Sequence, residues 1–370
     1  MTYRIREIAT RIVDLPIRRE HRIGVSTMRR QSSVIVQVFT EDGPTGLGEG
    51  VVPGGGPAWG GESVDSIKVT IDRHLAPALI GVPLTGANEA AALMRRVSTG
   101  NHFAKAAVEM ALWDIAGKAA GLPVHELLGG RRRESVDVLW SVGANVEDPA
   151  GELAEFAGAG HRSVKFMMGG RSPRADVERV RTALHELPTG LTVVVDASGR
   201  WDEPAARRLL PVLAEAGVDI AEQLVPAWNL DAMARLTGLT RVWTMADEAV
   251  RSASDALRVA LAHSADIIAL KVPKLGGIAA ARDVAAVTRA AGLRCYAGGT
   301  METSIGTSAA VQLFSTLPEL AGCDLIGPLM LADDVVTRPL EVRDGALTVP
   351  QGAGLGVELD EDKIRDYVRE

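Results

Sequence analysis

Two cysteines, Cys295 and Cys323, are all that the 370 residues contain. They cannot build a disulfide framework, and no Cys-x-x-Cys pair offers zinc spacing. So few thiols suit a reducing compartment, and a cytoplasmic protein is the expectation. No apolar run approaches the ~18 residues of a membrane span. The N-terminus, MTYRIREIATRIVDLPIRRE, has no signal-peptide core. An excess of basic residues is missing too: 40 Lys and Arg stand against 47 Asp and Glu, a net charge of −7. That balance argues against a nucleic-acid or anionic-membrane partner. What remains is 46% hydrophobic and 24% charged, ordinary for a globular enzyme. The length points to about two domains and is ample for a sizeable core.

The first third has its own texture. Ile5 to Pro16 and Ser33 to Phe39 read as strands, and Glu41-Asp42-Gly43-Pro44-Thr45-Gly46 is turn chemistry between strand runs, so an antiparallel hairpin is expected. A Gly-rich loop follows from Val52 to Glu62, then helices over Val64–Leu79, Asn88–Val97 and Asn101–Ala120. Asn101 is the expected N-cap of the last, and Gly121-Leu122-Pro123 its stop. From about Val136 short apolar strands alternate with helices: Val136–Ser141, Ser163–Met167, Thr192–Asp196, Asp219–Glu222, Val242–Asp247, Asp266–Lys271, Arg294–Ala297 and Asp324–Ile326. Eight strands joined by helices such as Pro204–Ala216 and Ile278–Ala291 indicate a parallel barrel. A Gly-rich dinucleotide fingerprint is absent, which weakens an open Rossmann sheet. The expected class is α/β: a modified (β/α)7β barrel over residues 129–328 and an α+β capping domain over 1–128. Residues 329–370 return to strand and turn character and are expected to pack back on the cap.

The barrel strands are apolar until their last residue, which is ionisable. Asp196, Glu222, Asp247 and Lys271 follow one another at steps of 26, 25 and 24 residues. Each step is one βα unit, so the four groups share the C-terminal rim where barrel enzymes build their sites. Three converging carboxylates repel one another unless a cation joins them, and oxygen-only ligands suit Mg²⁺. Asp196, Glu222 and Asp247 are the expected metal ligands. Lys165 ends the second strand and is expected to face them from the other side of the ring. A lysine beside a metal-bound carboxylate suits proton transfer if its ordinary pKa of about 10.4 is lowered. A nearby Mg²⁺ and a second ammonium would lower it, and a drop of ~3 units requires about 4 kcal/mol of differential stabilisation.

The order Lys165, Asp196, Glu222, Asp247, Lys271, Glu302 resembles the enolase superfamily, in its muconate-lactonizing subgroup. NHFAKAAVEMALWDIAGKAAGLPVHELLGG, HRSVKF, ADE, ALKVPKLGG and GPLML are similar to the subgroup's segments, and PAWGGESVDSIKVTIDRHLAPALIG is similar to muconate and chloromuconate cycloisomerases. The resemblance implies a Mg²⁺- or Mn²⁺-dependent conversion of cis,cis-muconate, or a substituted muconate, to a muconolactone through a metal-stabilised enolate. It implies a small dicarboxylate substrate and a homo-oligomer. Lys271 would be the proton donor and Lys165 an electrostatic helper. Trp59 would sit on a lid, and Ser141, Met167 and Glu302 would complete the substrate wall. None of the seven histidines lies at the seventh strand, unlike the mandelate racemase subgroup.

One departure matters. The subgroup usually carries Lys-x-Lys on the second strand, whereas this chain has Lys165-Phe166-Met167. Met167 carries no proton, so a two-base 1,1-proton transfer is put in doubt and a one-base reaction survives. A dehydratase or β-eliminating enzyme on another carboxylic acid, or a catalytically silent carboxylate-binding relative, remain alternatives. Smaller departures are Ser198, Leu224 and Ala249. The stretch His21–Arg30 is open between a second specificity loop and a solvated basic turn. Lys274 is a further candidate beside the site.

Overall fold

The computed structural model describes residues 3–23, 26–146, 152, 158–185 and 187–369. Its capping part begins with a long antiparallel hairpin, β1 (Tyr3–Ile23) and β2 (Ser26–Thr40), continued by β3 (Gly46–Val51). A two-residue strand, β4 (Pro83–Leu84), pairs with the start of β1. Side chains on β2 alternate by the pleat. Val34, Val36 and Val38 enter a core under the cap helices, while Ile35 joins the core shared with the barrel. The hairpin is longer than the sequence indicates. After a register break at Pro16, pairing resumes at His21↔Met28. The stretch expected to be a loop or turn is therefore largely the tip of a ladder.

The helix His102–Ala120 lies between the cap sheet and the barrel. It is buried on nearly every side: Ala104, Ala107 and Ala111 join the cap core, and Ala106 and Met110 the barrel core. Asn101 stands at its N-cap position but makes no capping bond there. Glu62 accepts from the N–H groups of Phe103 (3.2 Å) and Ala104 (3.3 Å) instead. Glu109, in mid-helix, accepts from Ile278 N (2.8 Å) and Ala279 N (2.9 Å), so the cap supplies the N-terminal cap of a barrel helix. β3 meets the same helix through Gly46, Gly48 and Gly50. A Cβ on Gly48 would lie 1.9 Å from the Ala107 carbonyl oxygen, and one on Gly46 2.0 Å from that of Ala111. Gly48→Ala is therefore expected to cost about 3 kcal/mol of stability, because a strand must part from helix backbone. Gly56→Ala, where a Cβ meets nothing within 4 Å, is the neutral control. Urea unfolding midpoints of the two variants check this.

The barrel strands are β6 (Trp140–Val142), β7 (Ser163–Met167), β8 (Thr192–Asp196), β9 (Ile220–Glu222), β10 (Trp243–Ala246), β11 (Ile267–Leu270) and β12 (Arg294–Ala297). These seven run parallel in sequential order. The expected eighth strand, Asp324–Ile326, does not form. Asp324 N donates to Ala297 O (2.8 Å), but Ile326 N turns back to Asp324 O (2.8 Å) and the chain enters a short helix. Cys323 nevertheless closes the ring: it bridges Ala297, and its carbonyl accepts from Leu139 N (2.9 Å). The first expected strand is split. β5 (Ser135–Asp137) pairs with β14 (Ala346–Thr348), which pairs with β13 (Val342–Arg343), and only from Trp140 does the chain join the barrel. The helix expected between the first two barrel strands falls mostly on 147–157, outside the described residues apart from 152. The C-terminal tail lies along β1: Ala332 N donates to Pro16 O (2.9 Å), and Arg369 N to Ile12 O (2.8 Å). No helix among the described residues is long and apolar enough to cross a membrane.

Candidate active site

Parallel register sets the rim. Met167 pairs with Asp196 and Asp196 with Glu222, so these strand ends lie at one level. Asp247 and Lys271 follow immediately after β10 and β11. Lys165 is one layer lower, opposite Val194, and its long side chain rises into the acids. Its Nζ lies 2.7 Å from Glu222 Oε2, 3.0 Å from Asp196 Oδ2 and 3.1 Å from Asp324 Oδ2. Lys165 thus stands among the acids rather than across the ring from them. Asp247 is held separately, by Lys271 Nζ (2.7 Å) on one oxygen and Lys274 Nζ (2.6 Å) on the other. Asp196 also accepts from the backbone N–H of Ser198 at 2.7 Å and from its hydroxyl at 3.1 Å.

Charge decides the character of this cluster. Burial opposes the ammonium of Lys165, but Asp196, Glu222 and Asp324 outweigh it and raise its pKa well above that of free lysine. Burial likewise opposes ionisation of Asp247, yet Lys271 and Lys274 hold it below the usual carboxylate range. Glu222 goes the other way. Burial, then the charge of Asp196, pushes its carboxyl well up. The lowering expected for a lysine here depends on a bound ion; among the protein's own groups the direction at Lys271 is upward. Burial favours the neutral amine, but Asp247 at 2.7 Å, then Asp324 and Glu222, raise it.

Four carboxylates thus face three ammonium groups. Glu222 Oε1 is buried with no hydrogen-bond donor. Among the described residues, no three acid, His or Cys side chains already form a metal cage. Lys165 Nζ stands between Asp196 and Glu222. The donor set is nonetheless that of a hard divalent cation: oxygen only, with an excess of negative charge and an unsatisfied buried oxygen.

Above the cluster is a small cavity of about 40 Å³, lined by His21, Trp59, Ser141, Lys165, Met167, Asp196, Asp247, Lys271, Asp324 and Ile326 among others. That is room for about three waters. Trp59 is the most fastened part of the cavity wall. Its Nε1 donates to Glu248 Oε1 (2.9 Å), its ring packs edge-on to Phe103, and Lys271 Nζ lies 4.6 Å from the ring centroid. Arg251 donates to Gly60 O (2.8 Å) beside it. Ser141 and Met167 also line the cavity, but Glu302 is not brought to it. Glu302 accepts from the N–H (2.8 Å) and hydroxyl (2.9 Å) of Thr300 and serves the turn behind the wall.

A larger cavity, about 380 Å³, opens near the N-terminal ends of the strands, away from this chemistry; Arg133, Asp137, Arg162 and Tyr296 line it. Sequence reasoning missed Asp324 as a wall residue, because Asp324 begins its apolar run instead of ending it. His21 on the cavity wall favours the specificity-loop reading of His21–Arg30 over the solvated basic turn.

The N-terminal domain model of mandelate racemase and muconate lactonizing enzyme matches residues 5–129, and the enolase C-terminal domain-like model matches 149–363. The chain belongs to the enolase superfamily, in its muconate-lactonizing subgroup. Chloromuconate cycloisomerase CbnB of Cupriavidus necator is 42% identical over 369 residues, 99% of each chain. Muconate cycloisomerase 1 of Rhodococcus opacus is 40% identical over 371 residues, 98% of each. The crystal structure of 2-chloromuconate cycloisomerase from Rhodococcus opacus superposes with a TM-score of 0.97 at 44% identity, covering 99% of this chain and 100% of that one. That of muconate lactonizing enzyme from Pseudomonas fluorescens, complexed with muconolactone, gives 0.96 at 37% identity, with the same coverage. Cycloisomerases of this subgroup are divalent-metal-dependent enzymes, in keeping with the acid cluster.

Proposed function

We propose that the chain is a cycloisomerase that closes cis,cis-muconate, or a substituted muconate, to a muconolactone. The observation that carries the proposal is that Met167 and Lys271 line one small cavity. Only one of the two strand ends that could carry a proton does so, and lactonisation needs one proton delivered. Lys165 is committed to three carboxylates at 2.7–3.1 Å, whereas Lys271 contacts one carboxylate and the Trp59 ring.

One carboxylate of the substrate adds to a double bond of the other half. A C–O bond forms, the π electrons move toward the second carboxylate, and Lys271 gives its proton to the adjacent carbon. The neutral amine is then reprotonated from solvent. Asp196, Glu222 and Asp247 would hold Mg²⁺ or Mn²⁺, which supplies Lewis-acid stabilisation of the charge that develops on the substrate carboxylate. Asp247 keeps the Lys271 ammonium protonated until the carbon accepts. Trp59 excludes water from that carbon, and Met167 presents no competing acid or base. The two free, buried thiols fit a cytoplasmic enzyme.

The test is incubation with cis,cis-muconate and Mg²⁺ while ultraviolet absorbance is followed. A fall that requires the metal, with muconolactone as product, is expected. Unchanged muconate alongside dehydration of another carboxylic acid would overturn the reading.

A further inference from the structure

Asp196, Glu222 and Asp247 gather on one side of the cavity, and the opposite side, where Asp324 closes the ring, has a polar pair of its own. Ser141 is on the first barrel strand and Asp247 follows the fifth, so they face each other across the ring. Next to Ser141 the tip of the cap hairpin brings in His21, which is 1% exposed. The imidazole is poorly satisfied. Its Nδ1 has no hydrogen-bond partner, and Nε2 lies 3.5 Å from Ser141 Oγ, at the limit of a bond. A buried polar group left in this state costs stability unless something else completes it. Both residues line the cavity.

We infer that His21, with Ser141, orients the carboxylate of the substrate that attacks the double bond. The inference rests on the lactonisation proposed above, in which a dicarboxylate spans the cavity with its other carboxylate toward the acids.

The chemistry of the pair suits a nucleophile. Burial, then the charges of Arg19 and Lys165, holds the His21 pKa at about 3, so the ring is neutral. A neutral imidazole offers one N–H donor, and Ser141 one O–H. Two such donors fix a carboxylate without neutralising it. A guanidinium in their place would grip both oxygens through charge-assisted bonds and blunt the attack. In the lactone the same oxygen is an ester oxygen with little basicity, so the grip on it weakens as the ring closes. This wall therefore recognises the open dicarboxylate in preference to the closed product.

The experiment compares His21→Ala and His21→Gln with wild type in Mg²⁺, using cis,cis-muconate as substrate. Adipate, a six-carbon dicarboxylate that cannot cyclise, and muconolactone serve as inhibitors. His21→Ala is expected to raise KM and lower kcat by about tenfold each, since both binding and orientation of one group are lost. Adipate inhibition should weaken about tenfold, the loss of a single good polar contact, while that by muconolactone changes less than about twofold. His21→Gln, which keeps a donor, should recover most of the loss. Equal weakening of adipate and muconolactone, or unaltered kinetics, would overturn the inference. Should His21→Ala fail to fold, Ser141→Ala must give the same split between the two inhibitors. Wild-type turnover is measured first. If wild type leaves muconate untouched, the lactonisation reading fails; if wild type turns over and the variants match it, only the role of His21 fails.

Discussion

Lys271→Ala is expected to lower kcat on muconate by about a thousandfold, within the range that loss of a positioned general acid produces. Mg²⁺ binding should persist and can tighten. Asp247 keeps Lys274 at 2.6 Å, so no buried carboxylate is orphaned, and one cation competing for that carboxylate is gone. Lys271→Arg separates the charge of the residue from its proton. The guanidinium restores the positive charge beside Asp247 and over Trp59, but it does not give up a proton at neutral pH. It should therefore be almost as inactive as the alanine variant. Rates at saturating muconate, with metal affinity measured by calorimetry on the same preparations, decide the matter. Near wild-type turnover in Lys271→Ala would move the donor role to Lys165. Activity in Lys271→Arg with none in Lys271→Ala would make the role of Lys271 electrostatic.

What was legible in the sequence is the part that repeats. A βα unit of about 25 residues with an apolar strand and an ionisable last residue projects directly onto a ring. Ser163–Met167, Thr192–Asp196 and Arg294–Ala297 have the bounds read from the sequence. What was not legible depends on tertiary partners. Val136 looks like part of the first barrel strand, but Val138 N goes to Gly345 O and Leu139 N to Cys323 O, so adjacent residues serve different neighbours. Asn101 has the right chemistry for a cap, yet Glu62 arrives from 39 positions earlier to take that task. The spacing of the acids placed them on one rim but could not show that Lys165, from a layer below, reaches between them. Nor could it show that Glu302 turns to Thr300 while Asp324 faces the cavity.

The second large effect concerns Glu222. Glu222→Gln is expected to abolish turnover and the stabilisation by Mg²⁺ while leaving the metal-free fold as stable as wild type or more so. Removing one partner of a buried ion pair is ordinarily costly because the other charge is stranded. Here it is not stranded: Lys165 keeps Asp196 at 3.0 Å and Asp324 at 3.1 Å. Meanwhile the fold loses a carboxylate that is 0% exposed, has one oxygen without a donor, and is pushed toward its neutral form by burial and by Asp196. An amide relieves that repulsion at nearly the same volume. The same features make the acid useful once a divalent cation is bound, so the cost in the free protein and the gain in the loaded one have a single origin. At Mg²⁺ a hundredfold above its dissociation constant, wild type should gain about 2.7 kcal/mol from linkage. Calorimetric melting of both proteins with and without Mg²⁺ makes the comparison. A wild-type-sized metal shift in Glu222→Gln would remove Glu222 from the ligand set, and a large loss of stability without metal would mean that Lys165 depends on Glu222 more than on its two other acids.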